Sequence, residues 1–241
     1  MLAANAGNTA LKLGLFEDGQ LIWRQVIPNS ELDAGLIALP DSPRPELLLS
    51  GSVRPASQAA VEALADQQEL RALTVDRTQL RVVNRTEAPE RVGLDRLLNA
   101  RAALARDSVE WLVLDCGTAI TCDRVSAAGE FVGGAIAPGA GLSARALHEG
   151  TALLPHVELG TSASVVGRNT EEALAAGLYW GFRGMIGKLA ARMCEEAGEA
   201  LQILITGGDG ELLATELPNA LFVADLTLEG ILAYHADVHG G

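Results

Sequence analysis

The chain repeats one pattern of strands and turns, and this repeat constrains its fold more than any other feature. Residues 1–26, "MLAANAGNTALKLGLFEDGQLIWRQV", and residues 111–136, "WLVLDCGTAITCDRVSAAGEFVGGAI", both begin with an apolar run that ends at Asn or Asp. A small residue, a glycine and a threonine follow, then a second strand, a polar turn with glycine and a third strand. One repeat of this length is too long for a solenoid. The pattern predicts two related α/β halves that meet near residues 106–109.

Composition limits the classes of protein to which the chain can belong. Its 241 residues are 49% apolar, which supplies a core for one large domain or two modest ones. A net charge of −13 disfavours nucleic acid as the main partner, because phosphate backbones need a basic surface. We expect no membrane span and no secretory signal, since no long apolar run and no basic leader are present. Three cysteines without a CxxC pair are typical of a reduced, cytoplasmic chain.

Helical and strand patterns continue beyond the repeated segments. Apolar residues at helical spacing predict helices over Leu94–Leu104 and Thr170–Gly198, and the apolar run Leu201–Thr206 predicts a further strand. We therefore divide the chain into an N-terminal half, residues 1–107, and a C-terminal half, residues 108–241.

Three glycine turns follow apolar strands: Gly7-Asn8-Thr9, Gly117-Thr118 and Gly207-Gly208. Glycine permits close approach of the backbone to a ligand, and successive N–H groups can then form a concavity that binds anions. For any one of them alone, an ordinary hairpin turn is the better explanation, because such turns are common. Two matching turns after equivalent strands make a phosphate site and a pair of plain turns about equally good interpretations.

Asp95 and Arg96 follow Gly93 at the predicted start of a helix. An acid in the first helical turn is commonly explained by capping and by the helix dipole. The same pair also offers a carboxylate that accepts a hydroxyl proton and a cation that binds an anionic substrate. Phosphoryl transfer to an alcohol needs a group in the first of these roles.

Several motifs in one order make the sequence resemble the type III pantothenate kinases, members of the acetate and sugar kinase/Hsp70/actin superfamily. The resemblance runs nearly end to end. The motifs that carry it are Gly7-Asn8-Thr9, Ser52-Val53, Gly93–Arg96, Asp115–Asp123, Gly133–Leu147, Gly167–Gly177 and Ile205–Gly210.

This resemblance implies a fold and an activity. The fold is α/β, with two duplicated RNase H-like halves of the actin-like ATPase type and a nucleotide cleft between them. The activity is ATP-dependent phosphorylation of the 4′-hydroxyl of pantothenate, the first step towards coenzyme A. Mg²⁺ and a monovalent cation, K⁺ or NH₄⁺, are implied as cofactors. A cytoplasmic homodimer whose interface helps to form the pantothenate pocket is also implied.

The motifs assign residues to roles by resemblance. Asp95 is the implied proton acceptor, and Asp115 is the implied ligand of the monovalent cation. The implied pantothenate site comprises Gly93, Leu94, Arg96 and Thr170. The implied ATP site comprises Asn5, Ala6, Gly7, Asn8, Thr9, Lys12 and Thr118.

Two positions depart from the family pattern. Asn5 stands where the first loop of the family has Asp, which removes a negative charge from the cation side of that loop. Thr86 stands where the family usually has a Tyr that contributes to the pantothenate site. These departures leave two alternatives: a catalytically weakened, nucleotide-binding homologue with a regulatory role, or a kinase of the same superfamily for another small hydroxylated substrate.

Overall fold

The computed structural model describes residues 1–32, 37–52, 55–160, 164–217 and 219–239. Its strands are β1 (Leu2–Ala6), β2 (Ala10–Glu17), β3 (Gln20–Pro28), β4 (Leu47–Ser52), β5 (Arg71–Thr74), β6 (Val83–Asn84), β7 (Trp111–Cys116), β8 (Ala119–Val125), β9 (Glu130–Pro138), β10 (Gln202–Thr206) and β11 (Leu221–Phe222). Its helices are α1 (Pro55–Gln67), α2 (Leu94–Arg106), α3 (Ala140–Glu149), α4 (Thr170–Ala197), α5 (Gly210–Leu213) and α6 (Leu226–His239). Among the described residues, no helix has the length and apolar character needed to cross a bilayer.

The chain forms two compact units. Unit 1 comprises Met1–Asp107 and Leu226–Gly241, and unit 2 comprises Ser108–Asp225. The strands of unit 1 lie in the order β3-β2-β1-β4-β5. In this sheet β1, β2 and β3 pair antiparallel, whereas β4 runs parallel to both β1 and β5.

Unit 2 repeats this arrangement. Its strands β7 to β11 lie in the order β9-β8-β7-β10-β11. The first three pair antiparallel, and β10 runs parallel to both β7 and β11. The predicted repeat is therefore confirmed in both the order and the direction of the strands.

Helices cover both faces of the unit 1 sheet. One face packs on α1 through a cluster of buried aliphatic side chains: Leu2, Ala4, Ala6, Leu11, Leu13, Leu48, Val61 and Leu64. Because side chains alternate along a strand, Asn5 and Lys12 lie on the opposite face. On that face Leu98 of α2 lies against Gly51, since a Cβ at Gly51 would come 2.8 Å from Leu98 Cδ1. The face that carries Asn5 is therefore the face that α2 covers.

The last helix, α6, packs in unit 1, whereas the sequence places residues 108–241 together in the second half. A Cβ at Gly230 of α6 would come 2.1 Å from the carbonyl oxygen of Leu98. The hydroxyl of Thr227 donates to Asn99 Oδ1 of α2 at 2.7 Å, and both residues are buried. Close helix approach and a satisfied buried polar pair thus bind α6 to α2.

Candidate active site

The first loop, Gly7-Asn8-Thr9, joins β1 to β2 and begins where Gly7 N–H donates to the carbonyl of Ala10 at 3.0 Å. The register of the two strands places Asn5 directly opposite Lys12. Side chains opposite each other in an antiparallel pair share a face and lie close together. Both side chains are half-buried, so the loop has an amide and an ammonium group at its base.

Asn29, which no sequence motif indicates, binds the first loop from the end of β3. Its Nδ2 group donates to the carbonyls of Gly7 at 3.1 Å and Asn8 at 2.9 Å. Its backbone N–H donates to the carbonyl of Thr9 at 2.8 Å. One residue therefore holds all three carbonyls of the loop.

The first turn of α2 holds the carboxylate of Asp95 in a defined position. Asp95 Oδ1 accepts the backbone N–H of Arg96 at 2.9 Å. A Cβ at Gly93 would come 2.4 Å from this same oxygen. Glycine before the helix therefore leaves the space that the carboxylate occupies.

The contact between α2 and the sheet of unit 1 lies one helical turn beyond Asp95. Leu98, three residues after Asp95, lies against Gly51, and Gly51 is the neighbour of Asn5 across β1 and β4. The structure thus brings the Gly93–Arg96 motif and the base of the first loop onto the same side of unit 1.

Thr86 belongs to a polar turn that precedes α2. Its hydroxyl and its backbone N–H both donate to Asn84 Oδ1, at 2.8 and 3.0 Å. Asn84 Nδ2 in turn donates to the carbonyl of Pro89 at 3.2 Å. Thr86 is half-buried, and the hydrogen bond that its hydroxyl donates stabilises this turn.

The second loop, Gly117-Thr118, joins β7 to β8 in unit 2. Gly117 N–H donates to the carbonyl of Ala119 at 3.2 Å, so this loop is one residue shorter than the first. Asp115, at its base, is half-buried and lies between Thr121 and Thr206 in the register of the sheet. A Cβ at Gly117 would come 3.5 Å from Asp115 Oδ1, so the carboxylate lies beside the loop. Thr118 is exposed at the tip.

Two glycines pack closely against the backbone of the second loop and of the residue before it. A Cβ at Gly139, the residue before α3, would come 2.1 Å from the carbonyl oxygen of Gly117. Gly207 has φ +94°, and a Cβ there would come 2.4 Å from the backbone of Cys116. The third glycine turn of the sequence therefore packs directly on the end of β7, where the second loop begins.

Asp209 follows Gly207-Gly208 and is a second carboxylate near this loop. Its N–H donates to the carbonyl of Cys116 at 3.0 Å, and burial raises the pKa of its carboxyl group. Sequence reasoning did not single out Asp209, because GGDG alone is a weak signal.

The thiols beside the second loop are not suited to chemistry. Burial is the main cause that raises the pKa of Cys122 to about 12, and it raises the pKa of Cys116 as well. Both side chains are buried. A protonated thiol is a poor nucleophile, so these cysteines act as small core residues.

Thr170 is the first residue of α4 in unit 2. The side chain of Asn169 caps this helix by accepting the N–H of Glu172 at 2.8 Å, and Thr170 itself is exposed. Val53, from the Ser52-Val53 motif, lies outside the described residues.

The donor set suits hard cations bound together with phosphate. Among the described residues, no group of three or more His, Cys, Asp or Glu side chains could hold a metal ion by itself. Mg²⁺ in phosphate-handling sites typically uses one or two carboxylates, with phosphate and water supplying the remaining ligands. Asp115 offers one oxygen-donor carboxylate beside a glycine turn, where a cation could bind together with phosphate.

The comparisons with known proteins agree with one another. The family model described as type III pantothenate kinase matches residues 1–192. The type III pantothenate kinase of a Thermus thermophilus strain is 37% identical, with 98% of each chain covered. That of Myxococcus xanthus is 33% identical, with 99% of each chain covered.

Solved structures are similar at lower identity. A Campylobacter jejuni protein described as a Baf-family transcriptional activator superposes with a TM-score of 0.66 at 18% identity, covering 98% of each chain. A Sinorhizobium meliloti protein described as a 2-dehydro-3-deoxygalactonokinase superposes with a TM-score of 0.58 at 14% identity, covering 99% of each. These two likenesses show the fold alone, which is that of the sugar kinases and actin-like ATPases. The family model and the full-length relatives establish more: this chain belongs to the type III pantothenate kinase family.

Proposed function

We propose that this chain transfers the γ-phosphoryl group of ATP to the 4′-hydroxyl of pantothenate, giving 4′-phosphopantothenate, the first step of coenzyme A biosynthesis. The observation that carries the proposal is the carboxylate of Asp95, positioned at the start of α2 in a chain of this family. It stands beside Arg96, as transfer to a hydroxyl group of an anionic substrate requires.

In the proposed reaction, Asp95 accepts the proton of the substrate hydroxyl. The hydroxyl oxygen forms a bond to the γ-phosphorus while the bond from that phosphorus to the bridging oxygen breaks, and ADP leaves. Arg96 binds the carboxylate of pantothenate, and Gly93, Leu94 and Thr170 complete the substrate site. Positioning supplies most of the catalysis in reactions of this kind.

ATP binds through the two loops in this proposal. Gly7 allows close approach of the phosphates, and the backbone N–H groups of Asn8 and Thr9 bind phosphate oxygens, as successive N–H groups in a turn can. Lys12 supplies positive charge beside them, and Thr118 adds a hydroxyl. Asn5 and Ala6 form the base of the first loop.

Asp115 is the proposed ligand of K⁺ or NH₄⁺, and Mg²⁺ binds with the ATP phosphates. Its carboxylate oxygens are the hard donors that these cations prefer. When bound, the cations offset the negative charge of the phosphates.

We also propose that the chain works as a cytoplasmic homodimer. Exposed apolar side chains in unit 2 support a self-association surface, since Leu153 is 90% exposed, Val166 77% and Ile136 64%. Gly181 and Gly184 of α4 have open space where a side chain would lie, which permits close approach of another helix. Light scattering of the parent and of Val166→Asp tests this, and a monomeric parent would contradict it.

The test of the function is an ADP-release assay with and without pantothenate, with the product identified by mass. Asp95→Asn should lower turnover by about 10²- to 10⁴-fold, the usual cost of losing a general base, while ATP still binds. Asp107→Asn, the same change just after the other end of α2, is the matched control and should stay near the parent.

Other outcomes identify the alternatives. Turnover of Asp95→Asn within a few-fold of the parent would exclude the proposed role of Asp95. ATP binding by the parent without turnover indicates a regulatory homologue. Turnover with a different alcohol, and not with pantothenate, indicates another kinase of the superfamily.

A further inference from the structure

We infer that Asn29 is a positioning residue for ATP: its side-chain amide holds the first loop in the conformation that turns its N–H groups toward the phosphates. The inference rests on the proposed function in one respect, since it takes the first loop to be a phosphate site. It concerns a residue outside every motif of the sequence.

The hydrogen bonds of Asn29 fix the direction of three peptide groups. The carbonyls of Gly7, Asn8 and Thr9 all point toward Asn29, because they accept its two Nδ2 protons and its backbone proton. In a trans peptide the C=O and the following N–H point in opposite directions. In the described chain the cis peptide bond is Ser42-Pro43, so these three peptides are trans. The N–H groups of the residues that follow each carbonyl are therefore directed away from Asn29.

Unit 2 shows what the same position looks like without a side chain. Pro28 pairs with Ala10 in unit 1, and Pro138 pairs with Ala119 in unit 2. The next residue in each case, Asn29 or Gly139, donates its backbone N–H to the last carbonyl of the loop. Asn29 and Gly139 are thus equivalent positions of the duplicated fold.

The two equivalent positions differ in the space behind the loop. At Gly139 a Cβ would come 2.1 Å from the carbonyl oxygen of Gly117, so the shorter second loop lies directly on the glycine. The first loop has one residue more, and the amide of Asn29 lies between it and β3. The side chain fills the room that the longer loop creates.

The position of the Asn29 side-chain amide leaves one of its own polar atoms without a hydrogen bond. Asn29 Oδ1 is buried and has no hydrogen-bond partner among the described residues. Rotating the amide would not remove this cost, since it would place Oδ1 against two carbonyl oxygens. A buried unpaired acceptor destabilises a fold, and such groups are uncommon unless they serve a purpose. Positioning the loop is the purpose that the geometry indicates.

The experiment compares Asn29→Asp and Asn29→Gly with the parent. The first variant keeps the shape but replaces the donating group with an acceptor, and the second recreates the arrangement at Gly139. We measure the Kd for Mg·ATP by calorimetry, the KM values for ATP and pantothenate, and the melting temperature. Both variants should weaken ATP binding roughly tenfold or more, because two hydrogen bonds of the loop are lost, with the KM for pantothenate unchanged.

Gln25→Glu is the matched control. Gln25 lies on β3, the strand that Asn29 follows, and its Oε1 is likewise buried without a partner among the described residues. Its register partner is Leu13 rather than a residue of the loop. This variant should bind ATP as the parent does.

Three results overturn the inference: unchanged ATP affinity in either folded Asn29 variant, an equal rise in both KM values, or a parent that does not bind ATP. A parent that binds ATP but does not phosphorylate pantothenate defeats the proposed function alone, because the ATP affinities still test the role of Asn29.

Discussion

The two units place different charges at equivalent positions of their two sheets. In unit 1 the residue two positions before the loop is Asn5, with Lys12 opposite it on the next strand. In unit 2 it is Asp115, with Thr121 opposite it. The first loop therefore has a positive charge on the neighbouring strand, whereas the second has a negative charge near its base. The two halves therefore share their strand arrangement and differ in the charge beside the glycine loop.

The two loops also differ in what supports them. The second loop packs on the backbone of Gly139 and Gly207, so its shape depends on the absence of side chains. The first loop is held by the side chain of Asn29. Adding or replacing a single heavy atom in a residue that supports the loop should therefore destabilise the second loop more than the first.

Gly139→Ala should have the largest effect. Its Cβ would come 2.1 Å from a backbone oxygen that cannot move without moving the loop. We expect a loss of about 3 kcal/mol in the free energy of unfolding, the upper range for overpacking, measured by urea titration. Gly141→Ala is the control, because the nearest atom is Arg145 Nη1 at 3.7 Å and the site is helical. Equal urea midpoints for Gly139→Ala and Gly141→Ala would contradict the dependence of the second loop on close packing against Gly139.

Asp115→Asn makes the second unit resemble the first. Replacing K⁺ by Na⁺ should depress the rate of the parent, and in the variant this difference should disappear. The rate in K⁺ should fall by up to roughly a hundredfold, since an interaction with a charged partner is lost. Steady-state rates in K⁺, NH₄⁺ and Na⁺ test this. A parent that works equally in Na⁺ and K⁺ has no such cation site.

Asn5→Asp makes the first unit resemble the second. We expect the parent to bind Mg·ATP weakly and to need unusually high Mg²⁺. The added carboxylate should lower this requirement and raise kcat/KM roughly tenfold. A Mg²⁺ titration of both forms is the measurement. If the Mg²⁺ dependence is unchanged, or activity is lost in a folded variant, then Asn5 is not a weakened metal ligand, and the lysine opposite it already supplies the charge.

The smallest effect should be a pH dependence confined to unit 1. Burial, then His239 and the N-terminal amine, lower the pKa of His235 in the folded chain. The unfolded chain therefore binds more protons below about pH 6.5, and stability falls as the pH decreases through that value. His235→Gln should flatten the dependence, followed by thermal unfolding at several pH values. The exposed His156 of unit 2 offers the control His156→Gln, which should leave the dependence in place.

Much of the fold was predictable because its signals are local. The structure begins α2 at Leu94 and α4 at Thr170, as the helical patterns predict. The structure also has strands on either side of both glycine turns, as the repeated pattern predicts. Turn chemistry and apolar periodicity are properties of a few neighbouring residues, so the sequence exposes them directly.

Contacts between distant residues were not predictable in the same way. Asn29 meets the first loop across 21 or 22 residues, and an Asn after Pro at the end of a strand is typical of any loop. The apolar pattern of α6 indicates that it is buried, but not which sheet it covers. Thr86 lies in a polar stretch without periodicity, and its turn depends on one side chain, Asn84.

The return of α6 to unit 1 sets an order of assembly during synthesis. The chain leaves the ribosome from its N-terminus, so all of residues 108–225 emerge before Leu226. Unit 2 therefore has its full sequence available first, and domains generally fold as units once their sequence has emerged. Until Thr227 and Gly230 arrive, Asn99 lacks its buried partner and α2 lacks its cover. The helix that carries Asp95 thus gains its cover only after the whole sequence of unit 2 has been synthesised.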